Sequence, residues 1–172
     1  MIFSRGQPLL LPASPVFIWG SLAAALLLDL LPLGRIAWMP DFLAVVLVFW
    51  SIHQPRRVGL AAGFVFGLLL DVHQAALLGQ HALAYAVLIY FAIMLHRRIL
   101  WFTLPWQAVQ LLPLFVAAHV IVIAVRLIAG GLLPGWSVLL APLLEAALWP
   151  LVSWLLLAPQ RRAPNTDPTR PL

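Results

Sequence analysis

The chain has 172 residues, of which 64% are hydrophobic and only 9% are charged. A water-soluble domain of this size cannot bury so much apolar surface, so the composition excludes a soluble globular protein and predicts a membrane protein. The formal charge of +5 comes from arginines between apolar runs, a pattern that sets the orientation of membrane helices and does not indicate nucleic-acid binding. The chain has no cysteine, which excludes disulfides and thiolate metal sites.

Six apolar segments, separated by arginine, proline and glycine, are each predicted to form a transmembrane helix. A bilayer core about 30 Å thick requires roughly 20 helical residues at a rise of 1.5 Å per residue. The segments are residues 15–33, 36–53, 58–72, 77–95, 105–129 and 137–158, so residues 1–158 are predicted to be one all-α membrane domain. Between Arg57 and Arg97 there is barely room for two full crossings, so the third and fourth segments are predicted either as short spans in a thinned bilayer or as a re-entrant pair. Residues 159–172 lack an apolar face and are predicted to be a disordered cytoplasmic tail.

The arginines predict the orientation of these helices. Cytoplasmic segments of membrane proteins are enriched in arginine and lysine. Most of the arginines fall on one predicted face, and the topology determinants among them are Arg56, Arg57, Arg97, Arg98, Arg161 and Arg162. Both termini are therefore predicted to lie in the cytoplasm.

Tryptophans near the ends of the predicted spans support the same boundaries. Indole has an apolar body and one polar N–H group, so it prefers the interface between lipid and water. The tryptophans predicted to lie at this interface are Trp38, Trp50, Trp101, Trp106 and Trp136.

Glycines recur every four residues at the predicted start of the third helix. Gly59, Gly63 and Gly67 form this pattern, and Gly79 extends it if helical spacing continues. Small residues four apart allow another helix to approach to backbone contact, which favours helix association in lipid. The stripe is therefore predicted to be a seam, which packs either within this chain or against a partner protein.

Several ionisable side chains are predicted to lie in the outer half of the membrane. Their depth follows from their positions in the predicted helices, at a rise of 1.5 Å per residue. This candidate cluster comprises Asp29, Arg35, Asp41, Asp71, His81, Arg126 and Glu145. Ionisable groups at such depth should face the bundle interior and find partners there. The cluster is either structural, with Asp41 and Asp71 paired to Arg35 or Arg126 or capping helix ends, or it forms a polar surface or cavity that receives a partner or small ligand.

Sequence patterns typical of enzymes and metal sites are not found in this chain. The five histidines show neither HExxH nor HxxxH spacing. No nucleophile with a base at motif spacing, no phosphate-binding glycine loop and no acidic metal cluster occurs. We therefore expect no catalytic residue, no cofactor and no metal.

Several short motifs have the order and spacing of one known family. They are Pro40-Asp41, the run from Pro55 to Gly59, the run from Gly67 to Asp71, the run from Leu78 to Leu83, and Trp149-Pro150. On these motifs the chain resembles the rod shape-determining MreD family of bacterial inner-membrane proteins. One departure is Met39, because an arginine often precedes the Pro-Asp pair in the family. Any role of that arginine here falls to Arg35 or is absent.

The resemblance implies a non-enzymatic scaffold of the cell-elongation machinery in the bacterial inner membrane. Such a protein would bind the bitopic protein MreC and, through it, would be linked to the MreB filament and the lateral-wall peptidoglycan synthases. The resemblance also implies a fold similar to the six-helix substrate-binding subunits of vitamin (ECF-type) transporters. Two alternatives rest on the buried polar residues: a small-molecule-binding membrane subunit of a transporter, and a membrane-embedded lipid enzyme that uses Asp71 or Glu145.

Overall fold

The computed structural model describes residues 13–31 and 38–160, and the regular structure in these ranges is helical. Its α-helices are α1 (Pro15–Leu30), α2 (Phe42–His53), α3 (Leu60–His73), α4 (Gln80–Leu100), α5 (Leu104–Ile128) and α6 (Leu140–Leu157). The 3-10 turns Trp136–Leu139 and Ala158–Gln160 extend α6 at its two ends. The prediction of an all-α protein is confirmed for the part of the chain that the structure describes.

The helices differ in how well their lengths match a bilayer. α4, α5 and the segment Trp136–Gln160 are long and apolar enough to cross a membrane. α1, α2 and α3 have 16, 12 and 14 residues. At 1.5 Å per residue these three are roughly 18 to 24 Å long, shorter than a bilayer core of about 30 Å. The structure therefore shows three helices of spanning length, and the count of six spans stays a prediction.

Two helix boundaries differ clearly from those predicted. α2 begins at Phe42 rather than at residue 36, because Asp41 is its N-cap and accepts a hydrogen bond from the Ala44 N–H at 2.8 Å. α4 continues to Leu100, so Arg97 and Arg98 lie in its last turn instead of in a following loop. Cations are favourable at a helix carboxyl end, so an arginine pair does not by itself end a helix.

α2 forms the centre of the bundle. Every residue from Leu43 to Ile52 is buried. α2 packs against α1, α4 and α6, whereas α3 packs on α4, and α5 packs on α4 and α6. The prediction of an interfacial Trp50 is wrong, because this side chain is fully buried and its Nε1–H donates to Ser21 Oγ at 2.7 Å. A helix that is apolar on all its faces suits a position that other helices surround.

α3 and α4 approach to backbone contact at two glycines. A Cβ atom on Gly67 would lie 2.4 Å from Ala82 Cα, and one on Gly63 would lie 2.4 Å from Ile89 Cδ1. These two glycines therefore serve packing within the chain. Gly59 and Gly79 do not extend the contact, since a Cβ on either would meet nothing within 4 Å.

The predicted continuation of the glycine stripe to Gly79 is wrong because the helix does not continue. α3 ends at His73, and Gly79 precedes α4 with φ at 98°. This left-handed backbone conformation is readily adopted by glycine, which has no Cβ. Gly79 therefore serves the turn into α4 rather than helix packing.

Candidate functional site

A cleft of about 1050 Å³ opens where α1, α3 and α5 end and where α2, α4 and α6 begin. We call it the polar cleft. Its lining includes five members of the predicted cluster, namely Asp29, Asp41, His81, Arg126 and Glu145. It also includes five further polar side chains, namely His73, Gln74, Gln80, Tyr85 and His119. Asp71 is fully buried outside this lining, and Arg35 lies outside the described residues. The helix ends thus bring together acidic residues that are far apart in sequence.

Three carboxylates at the wall of the cleft hold the start of α2. Asp29 accepts from the Phe42 and Leu43 N–H groups at 3.2 and 2.8 Å. Glu145 Oε1 accepts from the Asp41 N–H at 3.0 Å, and Asp41 itself caps Ala44. We call Asp29, Asp41 and Glu145 the carboxylate triad.

The carboxylate triad satisfies donors that the helix itself cannot satisfy. The first N–H groups of an α-helix have no partner within the helix, and a buried N–H group without a partner is costly. The positive end of the helix dipole also favours nearby carboxylates. The Tyr85 hydroxyl donates a further hydrogen bond to Asp41 Oδ2. The triad therefore fixes α2 to α1 and α6, and Tyr85 fixes it to α4.

Glu145 keeps one carboxylate oxygen without a donor. Its side chain is fully buried, and among the described residues Oε2 has no hydrogen-bond partner. His119 Nε2 lies 3.6 Å from Oε1, which is too long for a hydrogen bond. A buried acceptor without a donor is costly, so Oε2 lowers the stability that Glu145 contributes through Oε1.

Asp71 caps α4 in the same way as Asp29 caps α2. Asp71 Oδ2 accepts from the Gly79 N–H at 2.9 Å, and Oδ1 accepts from the His81 N–H at 2.9 Å. His81 Nδ1 is also 2.7 Å from Oδ1. Because Gly79 has no side chain to cap α4, a carboxylate from the preceding helix takes that role.

A repeated sequence motif accompanies the shared capping role of Asp29 and Asp71, and it was not recognised from the sequence alone. Leu-Leu-Leu-Asp occurs at residues 26–29 near the end of α1 and again at residues 68–71 near the end of α3. In both places the carboxylate reaches forward to the first turn of the next helix. Tyr85 was also missed, although it lies one helical turn after His81 and so on the same face of α4.

Arg126 does not pair with Asp41 or Asp71. It is exposed at the polar cleft and forms no salt bridge to a described residue. Of the two structural alternatives, capping of helix ends is therefore the observed one, and pairing with Arg126 is wrong. The reason is geometric, since both carboxylates are already engaged by backbone N–H groups.

Four of the arginines used to predict topology lie in the described residues, and none of these four lines the polar cleft. Arg56 and Arg57 lie between α2 and α3, and Arg97 and Arg98 lie in the last turn of α4. Arg57 also has a local contact, because its Nη1 donates to the Ala13 carbonyl at 2.8 Å, at the start of α1. Arg161 and Arg162 lie outside the described residues.

The polar cleft does not offer a metal-binding geometry. Across residues 13–31 and 38–160, no three His, Asp or Glu side chains are placed to hold a metal ion together. The oxygens of the triad are directed mainly at backbone N–H groups.

A model of the family described as rod shape-determining protein MreD matches residues 13–158, which include all six α-helices. The chain belongs to the MreD family. This match confirms the resemblance inferred from the short motifs. MreD proteins are membrane-associated, in agreement with the three helices of spanning length.

A relative supports the same assignment. The rod shape-determining protein MreD of Haemophilus influenzae (strain Rd) is 26% identical over 129 residues, which cover 73% of this chain and 77% of that protein. No solved structure matches the chain significantly. Membership of the MreD family gives the protein a role in rod shape determination.

Proposed function

We propose that the protein is a membrane scaffold of the cell-elongation machinery, which binds MreC and couples the MreB cytoskeleton to peptidoglycan synthesis. The family match over residues 13–158 carries this proposal. The geometry supports it, because the starts of α2 and α4 are held by carboxylates from other helices. A scaffold acts through fixed surfaces and requires neither a catalytic residue nor a cofactor.

The proposal includes six spans in the bacterial inner membrane, with both termini in the cytoplasm and residues 159–172 as a cytoplasmic tail. The first two residues of this tail belong to the 3-10 turn that extends α6, and residues 161–172 lie outside the described residues. Arg56 and Arg57 support this orientation, as do Arg97 and Arg98 at the carboxyl end of α4. In this orientation the polar cleft faces the periplasm. Local thinning of the bilayer would accommodate the three short helices. A fold similar to the substrate-binding subunits of vitamin transporters belongs to the same proposal.

An exposed apolar stretch between α5 and α6 is the surface that we assign to MreC. Leu132, Leu133 and Trp136 are 82%, 74% and 89% exposed. They lie beyond the end of α5 and beside the polar cleft. In the proposed orientation this stretch lies outside the bilayer core, so lipid covers less of its apolar surface and a partner protein can bind it. Gly63 and Gly67 cannot serve as this surface because α4 already occupies them.

Purification of the tagged protein from gently solubilised native membranes, followed by mass spectrometry, tests this proposal. We expect MreC and wall-synthesis proteins to accompany the wild type. The double variant Leu132→Ser/Leu133→Ser should lower MreC recovery about fivefold at an unchanged protein level, the loss expected when interface contacts worth about 1 kcal/mol are removed. The control is Leu151→Ser/Leu155→Ser, which changes two exposed leucines of α6.

Two outcomes would contradict parts of the proposal. Absence of MreC from the wild-type sample would contradict MreC binding. Equal MreC recovery with both double variants would contradict the assigned surface and leave MreC binding intact.

A small-molecule-binding transporter subunit is the second candidate function. The polar cleft favours it, because about 1050 Å³ lined by carboxylates, histidines and a tyrosine resembles a ligand site in size and chemistry. In the same purification, recovery of ATPase subunits or of one enriched metabolite in place of MreC would support this candidate.

A further inference from the structure

A cavity of about 90 Å³ lies between α4 and α5, away from the polar cleft. Its lining is apolar and includes Val87 and Phe91 of α4 and Pro113 and Ala117 of α5. Phe91, Pro113 and Ala117 are exposed, so the cavity opens to the outside of the bundle. In a membrane, its occupant therefore comes from the lipid side.

Helical spacing extends both walls of this cavity toward the connector between α4 and α5. On α4, residues 87, 91, 94 and 98 are spaced four, three and four, so Met94 and Arg98 lie on the same face as the cavity. On α5, residues 106, 110, 113 and 117 have the same spacing, which places Trp106 and Gln110 on the cavity face of that helix. We call these two faces, with the cavity between them, the α4–α5 groove.

The two faces of the groove match each other in depth. α4 ends at Leu100 and α5 begins at Leu104, so the short connector holds these two ends at a similar depth. Counted from these ends, the matched pairs are Arg98 with Trp106 at two residues, Met94 with Gln110 at six, Phe91 with Pro113 at nine, and Val87 with Ala117 at thirteen. At 1.5 Å per residue the pairs lie about 3, 9, 14 and 20 Å from the connector. The two deepest pairs line one cavity, which agrees with this matching.

The shallow pairs of the groove carry polar groups that are free to bind a ligand. Arg98 is exposed, has a long side chain that can extend toward the headgroup layer, and forms no salt bridge to a described residue. Gln107 bonds to Phe102 and Trp149, whereas the half-buried Gln110 forms no hydrogen bond to a described residue. An amide in an apolar environment gains stability from a hydrogen-bond partner, and acyl chains offer none.

The order of polarity along the groove follows the order of groups in a glycerophospholipid. The polar layer on each side of a bilayer core is about 5 to 7 Å thick. Gln110 lies about 6 Å deeper than Arg98, so a lipid whose phosphate contacts Arg98 has its ester groups near Gln110. The apolar pairs lie deeper still, where the acyl chains of the same lipid run.

We propose that the α4–α5 groove binds an anionic phospholipid, with its phosphate at Arg98, an ester carbonyl that accepts from the Gln110 amide, and one acyl chain along the cavity. An anionic headgroup fits better than a zwitterionic one, whose ammonium group would lie close to the Arg98 guanidinium. In the proposed orientation this lipid belongs to the cytoplasmic leaflet. The binding goes beyond the scaffold function and does not depend on MreC.

Native mass spectrometry of the full chain with phosphatidylglycerol and phosphatidylcholine of identical acyl chains tests the proposal. We expect the wild type to prefer phosphatidylglycerol about fivefold, the usual contribution of one basic side chain near an anionic membrane surface. Arg98→Gln should remove most of this preference. Arg97→Gln is the matched control and should keep most of it, because Arg97 is turned about 100° away around α4. Equal affinity of the wild type for both lipids, or equal losses in the two variants, would overturn the proposal.

Variants at greater depth test the acyl-chain part of the groove. Ala117→Leu fills the cavity and should weaken both lipids about twofold without changing their ratio, since several dispersion contacts of the acyl chain are lost. The matched control is Val120→Leu, which enlarges an exposed side chain of α5 outside the cavity lining and should bind both lipids as the wild type does. Thermal unfolding in detergent verifies that both variants are folded. Unchanged lipid binding by folded Ala117→Leu would overturn the proposal.

A transmembrane helix of another protein chain is the competing occupant of the groove. The chain has no cysteine, so Ala117→Cys and, as control, Val120→Cys can each be labelled at one position with a benzophenone maleimide. Illumination in native membranes should give lipid adducts at residue 117. A covalent adduct with a protein chain at Ala117→Cys but not at Val120→Cys would overturn the lipid proposal in favour of a partner helix.

Discussion

Gly67→Ala is expected to destabilise the protein by about 3 kcal/mol, the upper end of the usual cost of inserting an atom into a packed interior. The new Cβ would lie 2.4 Å from Ala82 Cα and 2.5 Å from Ala82 N. Both atoms belong to the backbone of α4, so α3 and α4 would have to separate. Thermal unfolding in detergent measures the loss, and the protein level in membranes should fall with it.

Two other glycines supply matched controls for Gly67→Ala. At Gly63 the new Cβ would meet the tip of the Ile89 side chain, which can rotate away, and its nearest backbone neighbour would be Tyr85 O at 3.2 Å, so Gly63→Ala should cost less than Gly67→Ala. At Gly20 in α1 a Cβ would meet nothing within 4 Å. Gly20→Ala should therefore be neutral or stabilise by up to about 1 kcal/mol through helix propensity. Equal stability of Gly67→Ala and Gly20→Ala would contradict the close contact between α3 and α4.

Asp71→Ala is expected to destabilise the protein by at least about 2 kcal/mol, because buried donors lose a charged acceptor. The Gly79 and His81 N–H groups at the start of α4 both donate to Asp71. Within a membrane no water replaces that acceptor. Thermal unfolding in detergent measures the loss, and limited proteolysis of the connector between α3 and α4 should become faster.

Graded replacements separate the capping role of Asp71 from a general effect of mutation. Asp71→Asn keeps one acceptor oxygen and should lose about half as much stability as Asp71→Ala. Gln74→Ala changes an exposed side chain of the same connector and should have little effect. His53→Ala removes one hydrogen bond to the Phe49 carbonyl at the other end of the bundle and should cost less than Asp71→Ala. Equal tolerance of Asp71→Ala and His53→Ala would contradict the capping role.

The class of the fold and the family could be predicted from the sequence because both depend on local patterns. Apolar runs between arginines marked the helices, and α5 (Leu104–Ile128) agrees with its predicted range to within one residue. Short motifs such as Pro40-Asp41 were sufficient for the family resemblance, which the family match confirms. Acidic residues within apolar runs grouped Asp29, Asp41 and Glu145, and these three lie together in the structure, whereas Asp71 of the same group lies outside the polar cleft.

The roles of these side chains could not be predicted because they depend on which helix lies beside which. Arg126 was a plausible partner for Asp41 by charge, but the backbone N–H groups of α2 lie closer than any described arginine. Trp50 has the sequence position of an interfacial residue, yet α1, α4 and α6 enclose the helix that carries it. Hydropathy identifies apolar residues without showing whether they face lipid or other helices.

Depletion of the protein from its native cells, followed by microscopy of cell length and width, tests the central claim most directly. The account predicts that cells become wider and rounder as the protein is lost. Wild type and Gly20→Ala should then restore elongated cells, whereas Gly67→Ala should not. Cells that keep their ratio of length to width in the absence of the protein would contradict its role in cell shape.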